Sequence, residues 1–191
     1  MEPISRFPVP DTADLPDDLR ERILQVQDKT GFVPNVFLAM AHRPAELRAF
    51  LAYHDALMEG EGPLSRAERE MVVVATSAAR SCTYCVVAHG AILRIRARDP
   101  QLADLVATNY RQAGLPERSR RMLDFAVTLS TTPELIGDDD LERLRSVGFD
   151  DEAIWDISAI TSFFALSNRM AHVMALRPNA EFHLLGRLPR G

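Results

Sequence analysis

Both cysteines of the 191-residue chain lie in one short segment, and a histidine follows them at helical spacing. Cys82 and Cys85 form a CxxC motif, and His89 comes four residues after the second thiol. On an α-helix these three side chains would fall within an arc of roughly 60°. Two thiols and one proton acceptor on a single stripe predict thiol redox chemistry, in which the thiols form a reversible disulfide.

The start of a helix favours a reactive thiol. Unpaired backbone N–H groups and the positive end of the helix dipole lower a cysteine pKa from about 8.5 into roughly 3.5–7.5. We expect Ser81 to cap this helix and His89, one turn after Cys85, to accept its proton directly or through water. The alternative is a pair of small buried cysteines and a histidine that only packs in the core.

Glu70 is a candidate third member of the site. It lies twelve residues before Cys82, and on one straight helix it would be about 18 Å away. If the chain turns near residues 79–81, two packed helices bring Glu70 beside His89, where the carboxylate orients the imidazole. Spacing alone favours the alternative, an exposed helix glutamate.

The composition is that of an ordinary globular protein, with 47% hydrophobic residues, 26% charged residues and a net charge of −5. A negative charge without a basic run predicts no binding to nucleic acid or to an anionic membrane. The N-terminus lacks a signal-peptide pattern, and no apolar run approaches the ~20 residues of a membrane span, so we expect a cytoplasmic protein. In the cytoplasm a disulfide is transient or catalytic rather than structural.

Helical periodicity extends along most of the chain, and no segment alternates as a strand does. It predicts an all-α protein with about seven or eight helices in a single domain, residues 17–191, after an extended proline-rich arm, residues 1–16. Ser65 and Glu68 have the spacing of a capping box. The last strong helix, at about 150–174, is apolar on several sides, which indicates a central position or a subunit contact.

The order of Glu70, the CxxC motif and His89 resembles the carboxymuconolactone decarboxylase superfamily, specifically its alkylhydroperoxidase D-like, peroxidase-related branch. Further matching segments are residues 31–35, residues 64–89 and Asn168-Arg169. The resemblance implies an alkylhydroperoxidase D-like helical fold, a homo-oligomer built from dimers (a hexamer is one such assembly), and a place for Asn168 in the active-site region. In the best-known members a further histidine immediately precedes the second cysteine, and here that position is Tyr84.

The resemblance implies catalytic roles for the residues that match its motif: Glu70, Cys82, Cys85 and His89. It points to Cys85 as the attacking thiol and Cys82 as the resolving thiol, and the position of His89 favours the same order. The predicted function is an antioxidant, thiol-dependent peroxidase of the alkyl hydroperoxide reductase type with a Glu/His proton relay. Its partners are a hydroperoxide substrate and an external dithiol that resets the disulfide. No Gly-rich loop or dinucleotide fingerprint occurs, and we expect no cofactor.

Two other interpretations stay open. A metal-binding module would use the two cysteines and His89, with His54 or His172 as a fourth ligand. Three ligands within two turns of one helix suit tetrahedral zinc poorly, and packing in the core or at the surface is the expected role of His54 and His172. A decarboxylase-type reaction on a lactone acid, as in the wider superfamily, would leave the CxxC motif without a task.

Overall fold

The structure is a computed structural model that describes residues 3–187. Between these residues the chain forms nine α-helices, four short 3-10 segments and no β-strand. The helices are α1 (Asp17–Thr30), α2 (Asn35–Met40), α3 (Pro44–Met58), α4 (Arg66–Ala79), α5 (Thr83–Ala97), α6 (Leu102–Asn109), α7 (Glu117–Thr131), α8 (Asp138–Arg145) and α9 (Asp151–Met174). The predicted all-α fold is confirmed. Eight helices have eight or more residues, and α2 is an additional short one.

Helix α4 lies at the centre of the fold and packs against α5, α6, α7 and α9. Every residue from Arg69 to Ser77 is buried. The predicted capping box starts this helix. The backbone N–H of Glu68 donates to the Ser65 hydroxyl, and the backbone N–H of Ser65 donates to the Glu68 carboxylate at 2.9 Å. The cap fixes where α4 begins and therefore which of its residues face α5.

A tight turn reverses the chain between α4 and α5, where the sequence predicts it. Ser81 adopts a left-handed conformation with φ of 54°, and the backbone N–H of Cys82 donates to the carbonyl of Ser77 at 2.9 Å. The N-cap of α5 is Cys82 rather than Ser81, so the predicted cap is wrong by one residue. The reason is that Ser81 is used by the reversal itself, which leaves the next residue to begin the helix.

The apolar core has two parts. The larger part lies among α4, α6, α7 and α9 and includes the fully buried Val73, Leu123 and Ile157. The smaller part lies among α1, α2, α3 and the C-terminal end of α9, and it contains both Cys82 and Cys85. The turn before α5 therefore delivers the two thiols into an apolar environment rather than to the surface.

The N-terminal segment lies on its own chain. The backbone N–H of Arg6 donates to the carbonyl of Met174 at 2.8 Å, and that of Arg177 donates to the carbonyl of Ile4. The ring of Phe7 stacks on His42. These contacts place the described part of the arm across the end of α9, while its boundary at residue 16 stays a prediction. Among the helices described, none has both the length and the apolarity to cross a membrane.

Candidate active site

The packing of α4 against α5 brings Glu70 to His89. Both side chains are largely buried, and Nδ1–H of His89 donates to Oε2 of Glu70 at 2.8 Å. A carboxylate that accepts from Nδ1 fixes the neutral imidazole in the tautomer whose Nε2 is free to accept a proton. The predicted contact is therefore present, and the alternative of an exposed helix glutamate is wrong.

The two cysteines are both reduced and buried at the start of α5. Cys82 is the N-cap residue, and Cys85 lies in the first turn with its thiol against the Cys82 sulfur. Because Cys82 precedes the helix, its sulfur faces the unpaired amides of the first turn. The pair thus has an outer thiol at the helix terminus and an inner thiol within the helix.

The surroundings of the two sulfurs push their pKa values apart. The pKa of Cys82 falls to about 7, first because the Cys85 thiol donates to its thiolate and further because of the amides of Cys85 and Tyr84 and the nearby His172. The same thiol–thiol hydrogen bond raises the pKa of Cys85, and burial raises it further. The pair therefore loses its first proton near neutral pH, and the negative charge that results lies on Cys82.

A cavity of about 170 Å³ opens beside Cys82. Tyr84 and His172 also line it. The imidazole of His172 is held by Nε2–H, which donates to the carbonyl of Arg80 at 3.0 Å. The sequence favoured packing as the role of His172 over a place in the pocket, yet it stands next to the more acidic thiol. Sequence reasoning missed this role because α9 is brought to the CxxC turn by tertiary packing alone.

A small polar cluster from α4 and α9 surrounds the inner thiol. The Cys85 sulfur is 3.9 Å from Oγ of Ser167. A hydrogen bond with the Ser77 side chain, taken by itself, lowers the pKa of the same thiol. The Ser77 hydroxyl donates to Oδ1 of Asn168 at 3.0 Å, while Nδ2 of that buried amide has no partner among the described residues. Asn168 therefore lies in the site region, as the resemblance implied. Neither serine carries a spacing signal that could have predicted its place.

The position of His89 relative to the thiols differs from the simplest expectation. Within residues 3–187 no hydrogen bond joins its ring to the sulfur of Cys82 or Cys85. Its ring instead meets Phe164 edge-on, with centroids 4.7 Å apart, and lies 6.2 Å from the ring of His54. The sequence predicted that His89 accepts the proton of Cys85 either directly or through water. Of these two routes, the one through water fits this geometry.

Tyr84 has a structural contact of its own. Its hydroxyl accepts from the backbone N–H of Val36 at 3.1 Å, which ties the first turn of α2 to the CxxC turn. Burial raises the pKa of the Tyr84 phenol above its usual range, and the charges of the neighbouring cysteines raise it further. The phenol therefore holds its proton at any pH at which the thiols react.

No three or more His, Cys, Asp or Glu side chains in the described part of the chain are arranged to hold a metal ion. The metal-binding alternative required Cys82, Cys85 and His89 together with a fourth ligand. No such ligand set is brought together among these residues.

The fold and the site define a helical CxxC protein that also contains a buried carboxylate–imidazole pair. A model of the carboxymuconolactone decarboxylase family matches residues 44–116, which include all four predicted site residues. The chain belongs to the carboxymuconolactone decarboxylase superfamily and is alkylhydroperoxidase D-like, which confirms the resemblance seen in the sequence.

Solved structures of similar proteins extend that match over all or nearly all of the chain. The alkylhydroperoxidase AhpD core of an uncharacterized peroxidase-related protein from Ralstonia eutropha JMP134 is 61% identical, with all of both chains covered and a TM-score of 0.98. An uncharacterized peroxidase-related protein from Silicibacter sp. TM1040 is 44% identical, with 97% of each chain covered and a TM-score of 0.92. An uncharacterized protein of Cupriavidus necator is 30% identical over 52% of this chain and 82% of its own length.

The pKa of Cys82 predicts how thiol reactivity depends on pH. Alkylation of the reduced protein by iodoacetamide should rise with a midpoint at about pH 7, because thiolate is lost as the pH falls through the pKa. Cys82→Ser should lack this phase, since burial still raises the pKa of the remaining Cys85. Rates are measured by mass spectrometry of the alkylated protein. A first midpoint at about pH 8.5, the ordinary thiol value, would contradict this electrostatic description.

Proposed function

We propose that this protein is a thiol-dependent peroxidase that reduces hydroperoxides with Cys82 and Cys85. The observation that carries the proposal is the geometry of the pair: the Cys82 thiol at the N-cap of α5 lines a cavity, and the Cys85 thiol is in contact with it and lowers its pKa. Membership of the alkylhydroperoxidase D-like group supports the same chemistry. An external dithiol is the reductant that this proposal requires.

The reaction would proceed in two steps. The thiolate attacks the terminal oxygen of the hydroperoxide, so that an S–O bond forms, the O–O bond breaks, and the departing alkoxide takes a proton to become an alcohol. The other thiol then loses its proton and attacks the sulfenic sulfur. An S–S bond forms, the S–O bond breaks, and the departing hydroxide leaves as water. The two thiols lose two electrons in total, and the peroxide gains them.

The geometry supports different roles for the two sulfurs in the reaction. Cys82 carries the charge at rest and would attack first, since the thiolate is the nucleophile. Cys85 is buried with a raised pKa, so the second step needs a base. His89, one turn away and held by Glu70, would take that proton through water at its free Nε2. Sequence reasoning favoured the opposite order, with Cys85 attacking, and that assignment stays open to the variant test below.

The direct test of the function is loss of thiols on exposure to peroxide. Reduced protein should show two titratable thiols and lose both on treatment with an alkyl hydroperoxide, because the CxxC spacing lets one sulfur reach the other. Ellman titration and a non-reducing gel are the measurements. Crosslinked dimers as the main product, or thiols that survive the peroxide, would overturn the proposal.

The order of the sulfurs is tested by two matched variants. Cys85→Ser, whose hydroxyl can still donate to the Cys82 sulfur, should consume one equivalent of peroxide and hold Cys82 as a sulfenic acid. Cys82→Ser should react more slowly at pH 7, on the order of 10-fold, because its remaining thiol is mostly protonated. Mass spectrometry detects the sulfenic acid as one added oxygen. The reverse behaviour would assign the attack to Cys85, as the sequence favoured.

We also propose a homo-oligomer. One side of α9 is buried in the core, but the other exposes an apolar stripe at helical spacing, consisting of Trp155 (72% exposed), Leu166, Met170 and Val173. Tyr53 of α3 is exposed as well and packs on Phe163 of α9. Apolar surface of this extent is typical of a subunit contact, and a second copy of the same stripe would cover it.

The stripe predicts the effect of a charge placed within it. Wild-type protein should sediment as a dimer or a larger assembly, and Leu166→Glu should shift it toward monomer, because association would bury an unpaired carboxylate. Leu105→Glu, at an exposed leucine of α6, is the matched control and should leave the assembly unchanged. Sedimentation velocity at micromolar concentration is the measurement. Monomeric wild-type protein, or equal effects of the two substitutions, would contradict the proposal.

A further inference from the structure

A line of polar side chains leads from the surface to the buried carboxylate of the site. The exposed fraction of the side chain decreases along the line: Arg22 41%, Asp55 41%, His54 27%, His89 12% and Glu70 7%. At the outer end of the line Arg22 is ion-paired with Asp55, and at the inner end His89 is hydrogen-bonded to Glu70. The rings of His54 and His89 are neighbours in the middle. Nothing in the proposed reaction so far uses the outer half of this line.

His54 is held in the same manner as His89. Its Nδ1–H donates to Oδ1 of Asp55 at 3.3 Å, and Arg22 donates to the other carboxylate oxygen at 2.6 Å. The hydrogen bond from His54 lowers the pKa of Asp55, and the charge of Arg22 lowers it further, so that carboxylate is ionised at neutral pH. A carboxylate on Nδ1 leaves Nε2 of His54 free, just as Glu70 leaves Nε2 of His89 free.

The two imidazoles share one apolar wall. Their centroids are 6.2 Å apart, and both rings pack on Phe164, with His54 also on Phe163. No hydrogen bond joins the two rings directly in the part of the chain described here. When two imidazole centroids lie 6.2 Å apart, one water molecule can link a nitrogen of one ring to a nitrogen of the other. The phenylalanines restrict other contacts of both rings.

The proton balance of the proposed reaction requires such a route. The reactive form of the pair, with a thiolate on Cys82, holds one proton, whereas the departing alkoxide and the departing hydroxide each take one. One proton must therefore enter the site from solvent for every peroxide reduced, and one must leave when the external dithiol restores the reactive form of the pair. His89 is itself mostly buried, so it needs a more exposed neighbour to exchange protons with bulk water.

We propose that His54 is the proton-transfer group that connects His89 with solvent. It accepts a proton from bulk water on its exposed side and passes it through one water molecule to His89, and it reverses this path when the disulfide is reduced. Asp55 and Arg22 hold its ring in the orientation that leaves Nε2 available. The role rests on the proposed peroxidase function, and His54 acts through His89 without touching the substrate.

The test is chemical rescue of a histidine variant. Turnover of an alkyl hydroperoxide with dithiothreitol should fall on the order of 10-fold in His54→Ala, a fraction of what a positioned proton-transfer group contributes, and added imidazole should restore most of the loss. Across substituted imidazoles of similar size, the restored rate should follow their pKa, which a packing defect would not produce. His183→Ala, at an exposed histidine of the last 3-10 segment, is the control and should match wild type with or without imidazole.

Two further measurements keep failure of this inference separate from failure of the proposed function. His54→Gln preserves most of the packing volume and should show the same loss, with circular dichroism confirming the fold. In protein without peroxide, exchange of the His89 ring proton with solvent, followed by NMR, should be slower in His54→Ala than in wild type. If wild-type protein fails to reduce peroxide, the peroxidase proposal falls and the exchange measurement alone decides the role of His54. Unchanged exchange, or a turnover loss that imidazole does not restore, overturns the inference.

Discussion

The hydrogen bond between Glu70 and His89 is the interaction on which the site depends. It joins the middle of α4 to the middle of α5, two helices that are adjacent in sequence and antiparallel in space. Burying a carboxylate costs several kcal/mol unless a partner is in place, so the pair strongly favours one register of the two helices. That register also sets where the chain reverses, and the reversal is what puts Cys82 at the N-cap of α5.

The turn gives different surroundings to two thiols that are only three residues apart in sequence. The outer one meets helix amides, His172 and a cavity, while the inner one meets the serines and Asn168 of the polar cluster. A single thiol–thiol hydrogen bond then lowers one pKa and raises the other. The amides at the N-cap and the charge of His172 add to the effect of this hydrogen bond on Cys82, since an N-cap position offers unpaired N–H groups that a position inside the helix does not. The first turn of α2 is tied to the same turn through Tyr84.

Local patterns predicted the parts of the site that local rules govern. The capping box at Ser65, the reversal near residue 80 and the spacing of the CxxC motif and His89 are all short-range features. The partnership of Glu70 needed only one further step, the assumption that two consecutive helices pack together. Apart from Asn168, which the resemblance implied, residue spacing could not show which residues reach the site from α3 and α9, because the angles at which those helices cross α5 depend on the whole core. His54, His172 and Ser167 belong to this class. The cap at Cys82 was missed by one residue, since a left-handed serine has no clear signature in sequence.

The measurement that tests the account most directly is the rate of disulfide formation in Glu70→Gln. The amide can still accept from Nδ1 of His89, so the fold and the contact should remain, while the charge that supports the imidazole as a base is lost. Stopped-flow oxidation of the reduced protein by peroxide should give disulfide on the order of 10–100-fold more slowly, by analogy with the loss of supporting hydrogen-bond partners at other sites. Glu61→Gln, at an exposed glutamate, should behave as wild type. Disulfide formation at the wild-type rate in Glu70→Gln would contradict the central role given to the buried carboxylate–imidazole pair.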